Sequence, residues 1–214
     1  MNTKLFLLYP VFLALLVFST VSTSVGTIVT FDDLSETGTG SFLASGYQGL
    51  VWSNFEALNT ILFTDQQAIH LTANGSNGYY NGMVSASNVA FNAFGDPAEI
   101  DSSGTNFNFL SAYLTGAWNS NLSIEVQGFT GTTLLYDTTV VASATSPTLF
   151  TFNYHNINRL YLISSGGQQA FGIAGGNNFV MDKFTFEFVP EPSSFLLATA
   201  GALLLCPLLK RKRV

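Results

Sequence analysis

From Thr27 to Val189 one pattern recurs: a short stretch rich in β-branched and aromatic residues, then a knot of Gly, Asn, Ser or Pro. No other feature constrains the fold as strongly. The stretches are TIVTF (27–31), LVWSNFEAL (50–58), NFNFLSAYLTG (106–116), LSIEVQGF (122–129), TLLYDTTVVA (133–142), TLFTFNY (148–154), RLYLIS (159–164) and FVMDKFTFEFV (179–189). Many alternate with period two, the signature of a strand with one face buried. Leu122, Ile124 and Val126 fall on one side, and Ser123, Glu125 and Gln127 on the other. Turn-forming residues separate the stretches at 128–131, 146–147, 156–158 and 175–178. No segment carries a helical period bounded by caps. Roughly eight to ten strands at this spacing predict an all-β, antiparallel β-sandwich, jelly-roll-like, over residues 26–188.

Covalent staples play no part in that domain. The single cysteine, Cys206, lies in a C-terminal apolar run, so no disulfide and no thiolate metal site is available. Stability must come from burial, and a chain with 47% hydrophobic residues and 20 phenylalanines can supply it.

Both ends carry segments of a different kind. Lys4, the apolar run Leu5 to Phe18 and the small polar residues 19–24 have the anatomy of a secretory signal peptide over residues 1–25. Cleavage is expected near residues 24–26, after passage through the Sec machinery. The alternative, an uncleaved anchor, needs a longer apolar run, about 20 residues. At the other end an apolar run from Phe195 to Leu209 precedes Lys210, Arg211, Lys212 and Arg213. This reads as a marginal C-terminal transmembrane helix with its basic end in the cytoplasm and the domain outside.

Between Thr27 and Val189 twelve acidic and two basic residues, Arg159 and Lys183, leave a charge of −10. That balance argues against nucleic acid, whose binding needs clustered Lys and Arg. It suits an extracellular surface or a cation. Asp32 and Asp33 follow the first strand, and Asp182 lies in the last. Strict alternation puts Asp182 on the face of Phe184, Phe186 and Phe188, where a carboxylate needs a partner. First and last strands are often neighbours in sandwiches, so Asp32, Asp33 and Asp182 form a candidate structural Ca²⁺ site. Pairing of Asp182 with Arg159, or solvation at a frayed strand, are the competing readings.

Other polar residues offer less. Asp96, Glu99 and Asp101 in FGDPAEID could in principle serve glycoside hydrolysis, but three acids around a proline turn read more simply as a solvated loop. His70 and His155 accompany no catalytic motif. No catalytic residue is assigned. Asn74 and Asn121 match glycosylation acceptors, a match expected by chance in a chain this rich in Asn and Ser. Loop aromatics are more suggestive. Tyr79 and Tyr80 in TANGSNGYYNG and Trp118 in TGAWNSN are candidates either for core packing or for stacking against sugar rings.

The tail as a whole, with Pro190, Glu191 and Pro192, then Ser193 and Ser194, a short apolar helix and a basic cluster over residues 189–214, resembles a PEP-CTERM sorting signal. The resemblance implies recognition by an exosortase and cleavage around the Pro-Glu-Pro triplet. It also implies transit through a membrane-tethered, outward-facing intermediate to the surface or extracellular matrix of a Gram-negative bacterium. Such proteins are linked to exopolysaccharide and biofilm. The central segments TFDDL, GYQGLVWSNF, NVAFNAFGDPAEI and FVMDKFTF are similar to uncharacterised β-sandwich domains that accompany this tail, akin in outline to carbohydrate-binding jelly rolls. The expectation is therefore a non-enzymatic matrix protein that binds or resides in exopolysaccharide. The alternatives are a purely structural matrix protein and, least supported, a glycan-active enzyme.

Overall fold

The computed structural model describes residues 26–63, 77–172 and 175–190. The expected signal peptide over residues 1–25, His70, Asn74, Glu191, Pro192, the C-terminal apolar run and the basic cluster Lys210–Arg213 lie outside them. Residues 24–189 form a compact unit.

Fourteen strands are defined among the described residues: β1 Thr27–Val29, β2 Ser41–Phe42, β3 Val51–Ser53, β4 Phe55–Asn59, β5 Asn88–Asn92, β6 Ala98–Asp101, β7 Phe107–Gly116, β8 Asn119–Ser120, β9 Leu122–Thr130, β10 Thr133–Ala142, β11 Thr148–Ile157, β12 Arg159–Ser165, β13 Gln168–Gln169 and β14 Phe179–Phe188. Every pairing is antiparallel. The larger sheet runs β11-β7-β14-β5-β4-β2, with β1 on β14, and the second runs β10-β9-β12-β6-β3. The chain is thus an all-β antiparallel two-sheet sandwich, with β8 and β13 forming a small separate ribbon.

Alternation explains most of the core. Leu122, Ile124 and Val126 of β9 are fully buried, as are Leu160 and Leu162 of β12, while the residues between them are half-buried. They meet Phe107, Phe109, Phe179, Phe184 and Phe186 of the larger sheet in one apolar cluster. Burying such side chains contributes roughly 1.5–3 kcal/mol each.

Three departures from the sequence pattern shape the molecule. The stretch 50–58 is two strands, because Asn54 adopts φ 59 and breaks it. Before the break, β3 pairs in the smaller sheet; after it, β4 pairs in the larger one. The segment around Asp96, Glu99 and Asp101 is only partly a loop. Glu99 and Asp101 belong to β6, and Glu99 faces Arg159 at 3.9 Å.

The third departure concerns Asp182. Lys183 has φ 48, and the register with β7 shifts between Asp182 and Thr185. This bulge resets the alternation. Met181 and Phe184 both reach the main core, whereas Val180 packs in the second cluster with Val89 and Phe91. Asp182 therefore lies on the outer side of the sheet, not on the face of Phe184, Phe186 and Phe188. It is nonetheless fully buried, because the 84–85 segment covers it.

Candidate functional site

β1 does pair with β14, Val29 opposite Phe184, but the three aspartates do not form a calcium cage. Among the described residues no group of three or more His, Cys, Asp or Glu side chains is placed to hold a metal. Each carboxylate has its own protein donors. Asp182 accepts the N–H groups of Val84 and Ser85, each at 2.7 Å, that of Lys183 at 2.6 Å, and the Ser85 hydroxyl at 2.9 Å. Burial pushes its carboxyl above the ordinary carboxylate value, and these donors pull it part of the way back. Asp32 accepts the Asn88 N–H at 2.9 Å, and Asn88 in turn donates to the carbonyls of Phe31 and Leu34. Asp33 accepts the Tyr47 hydroxyl at 2.6 Å. The Arg159 partner weighed for Asp182 sits instead beside Glu99 and over the rings of Phe129 and Tyr161.

The outer face of the larger sheet holds a different feature. A half-open cleft of about 480 Å³ is lined by Thr39, Glu56, Leu58, Phe63, Tyr79, Phe91, Phe94, Trp118 and Asn178. Its floor comes from residues that alternate outward on neighbouring strands: Glu56 and Leu58 on β4, and Phe91 on β5. The walls come from loops. Tyr79 sits in α1, Gly78–Asn81, whose start is capped by the Asn77 side chain accepting the Tyr80 N–H at 2.9 Å.

One glycine, Gly78, brings that helix against the loop after β7. A Cβ on Gly78 would lie 1.8 Å from the Gly116 carbonyl oxygen, so no other residue permits this approach. The Gly78 N–H donates to the Ala117 carbonyl at 2.8 Å. Tyr79 and Trp118 then meet edge to face at 5.5 Å, with Tyr79 also edge-on to Phe91 at 5.1 Å and tilted on Phe63 at 5.0 Å. Such aromatic pairs contribute about 0.5–1.5 kcal/mol beyond area burial, so the walls are preformed.

Phe94 stands at the rim in an unusual state. It is 81% exposed and has φ 57 within the single turn Ala93–Gly95. The turn is braced by the Asn54 side-chain amide, which donates to the carbonyls of Ala93, Asp96 and Pro97, and by Asn92 donating to Asp96. A left-handed conformation costs a residue with a Cβ about 1–2 kcal/mol. Packing does not repay that for a ring this exposed. Strained residues of this kind cluster at ligand clamps.

Polar groups punctuate the aromatic walls. Asn178 donates its amide to the Asn92 carbonyl at 2.7 Å, and Thr39 shares a hydroxyl contact with Thr37 at 2.9 Å. Glu56 has no hydrogen-bond donor among the described residues, and burial pushes its carboxyl above the usual glutamate value. The chain passes close beside it because Gly40, at φ 81, lacks a Cβ that would lie 2.8 Å from Glu56 Oε2.

Of the three loop aromatics singled out from the sequence, Tyr79 and Trp118 come together at this cleft, Tyr79 as a buried ring of the second apolar cluster, in line with core packing, and Trp118 half-buried beside it. Tyr80 is half-buried and does not line it. Glu56, Phe63, Phe91, Phe94 and Asn178 were not foreseen. Phe94 had a readable signal, an aromatic set directly before Gly95 and Asp96, as Trp118 is set among turn residues.

The chain matches no protein-family model and no curated protein. Solved structures give distant likenesses. A DUF4465 family protein from Bacteroides ovatus aligns with TM-score 0.44 and 10% identity over 77% of this chain and 99% of that one. TmCBM61 in complex with β-1,4-galactotriose aligns with TM-score 0.32 and 7% identity, over 69% of this chain and 94% of that one. A Streptococcus pneumoniae fucose binding module, SpX-3, gives TM-score 0.29 and 13% identity, over 64% and 93%. Likeness at these scores carries no ligand across to this chain.

Proposed function

We propose that this is a non-enzymatic, exported protein whose sandwich binds glycan in the aromatic cleft on its larger sheet. One observation carries the reading: the cleft combines five aromatic side chains with Glu56, Asn178 and Thr39 in a half-open site of about 480 Å³. Pyranose rings present flat C–H faces to aromatic walls, and their hydroxyls seek amides and carboxylates at the edges. Concave sites with apolar walls and few polar groups are general ligand sites. The strand order, with non-consecutive strands as neighbours in both sheets, fits the jelly-roll-like description. Residues 189–214 support the matching address: processing by an exosortase at Pro190, Glu191 and Pro192, and delivery to an exopolysaccharide matrix outside a Gram-negative cell.

Screening the full-length chain, purified in mild detergent, on a glycan array tests the binding reading. Wild type should bind a subset of glycans, and Trp118→Ala should abolish that binding. Binding to no glycan would favour a purely structural matrix role, and release of reducing ends from a bound polysaccharide would overturn the non-enzymatic reading. The address is tested separately by the mass of the protein recovered from cells with and without exosortase. A mature C-terminus near Pro190 only when the enzyme is present is the expected result.

A further inference from the structure

Among the described residues Glu56 is the one charged side chain lining the cleft, amid five aromatic rings. It is half-buried, has no donor among the described residues, and burial disfavours its ionised form. Asp182, by contrast, is wrapped in four donors. A neutral sugar seated over Glu56 would replace the carboxylate's water with hydroxyl donors alone, which offset its desolvation less fully than a charge-assisted partner does. An anionic ligand would be worse. The only two bases between Thr27 and Val189 are Arg159 and Lys183. Arg159 is on the other sheet with Glu99, Lys183 sits in the β14 bulge, and neither lines the cleft. Uronate, sulfate and phosphate groups therefore meet a −10 domain with no counter-charge at the site.

A cation reverses each of these terms. Aromatic faces attract ammonium groups through their negative quadrupoles, and rings combined with a carboxylate form the kind of cage that recognises ammonium ligands. We propose that the cleft takes an amino sugar with a free, protonated amine, the ammonium seated between Glu56 and the rings of the cleft. This rests on the glycan reading above and narrows it to cationic hexosamine units.

Calorimetric titration of the full-length chain in mild detergent tests it, using glucosamine and N-acetylglucosamine oligomers of equal length. The amine oligomer should bind at least about tenfold more tightly near pH 6, as charge-assisted hydrogen bonds require. That preference should vanish near pH 9, where the sugar amine is neutral. Glu56→Gln should remove the preference. Glu125→Gln removes the same charge from the other sheet, where the carboxylate only accepts from Gln127, and should keep it. Equal loss in both variants would mean diffuse attraction to an acidic domain and would overturn the proposal. Equal wild-type affinity for the two oligomers would also overturn it, while leaving the glycan reading in place. Failure to bind any glycan on the array would overturn both. Should Glu56→Gln not fold, the wild-type pH series decides: a preference unchanged at pH 9 overturns the proposal.

Discussion

Replacing Phe94 by Asn separates the stability of this protein from its proposed binding. The ring is 81% exposed, so about a fifth of the side chain is covered. Out of roughly 1.5–3 kcal/mol for full burial, its loss costs about 0.3–0.6 kcal/mol. Against that, the backbone at φ 57 and ψ 7 charges a Phe about 1–2 kcal/mol, and Asn tolerates this region much better. The braces from Asn54 and Asn92 hold main-chain carbonyls and do not depend on the ring. Phe94→Asn should therefore be neutral to about 1 kcal/mol more stable, a rise of up to about 4 °C in Tm for a domain of this size. Binding should move the other way. A sugar covering one ring face uses about half of the ring's burial, near 1 kcal/mol, or about fivefold in Kd. Differential scanning calorimetry and titration with the tightest glycan from the array measure the two effects. A Tm drop of several degrees, or an unchanged Kd, would refute the view of Phe94 as a strained ligand contact.

Asp182→Asn should lose about 2–5 kcal/mol in urea titrations, since an amide cannot accept from all the N–H groups that converge there; a loss under about 1 kcal/mol would show those donors are satisfied otherwise. Chelator should leave the wild-type midpoint unmoved, because the acids already have protein partners. The Glu56 carboxyl is raised in the folded state from 4.5, so its contribution to stability is present below that value and lost as pH climbs through the folded one. Glu56→Gln does not titrate, so its stability relative to wild type should increase with pH across that window; a flat or falling difference in parallel urea titrations counts against the assignment. Gly78→Ala forces its Cβ into the Gly116 carbonyl and should cost about 1–3 kcal/mol while pushing Tyr79 away from Trp118, seen as weaker glycan binding and altered near-UV circular dichroism.

Much of this architecture is written in local patterns. The alternation in β9 and β12 predicts their buried faces residue by residue, and Gly131 marks the β9–β10 turn at φ 58. What escapes the pattern has a common cause, a backbone residue in the left-handed region. Asn54 cuts one apparent strand into two and sends the halves to different sheets. Lys183 shifts the phase of β14, so the face of Asp182 is opposite to the one alternation predicts. Neither Asn nor Lys announces such a conformation as Gly does. The cleft is half legible for a related reason. Tyr79 and Trp118 stand out as aromatics among turn residues, whereas Glu56 and Phe91 lie on strands and become a floor only when β4 and β5 pair. Asn88–Asn92 is wholly buried and shows no alternation, so β5 itself gives little sign of which way Phe91 points.

The position of β14 also bears on how the chain can fold. It is the last of the described strands to be made, yet it lies inside the larger sheet, pairing with β7, β5 and β1. Phe179, Phe184 and Phe186 from this one strand supply three of the largest fully buried side chains. Until residues 179–188 emerge, β1 has no neighbour, and β7 and β5 cannot be joined. Vectorial synthesis thus delivers the keystone at the end. The preceding strands must wait as an open, non-locally paired ensemble, the state in which β proteins fold slowly and depend most on chaperones.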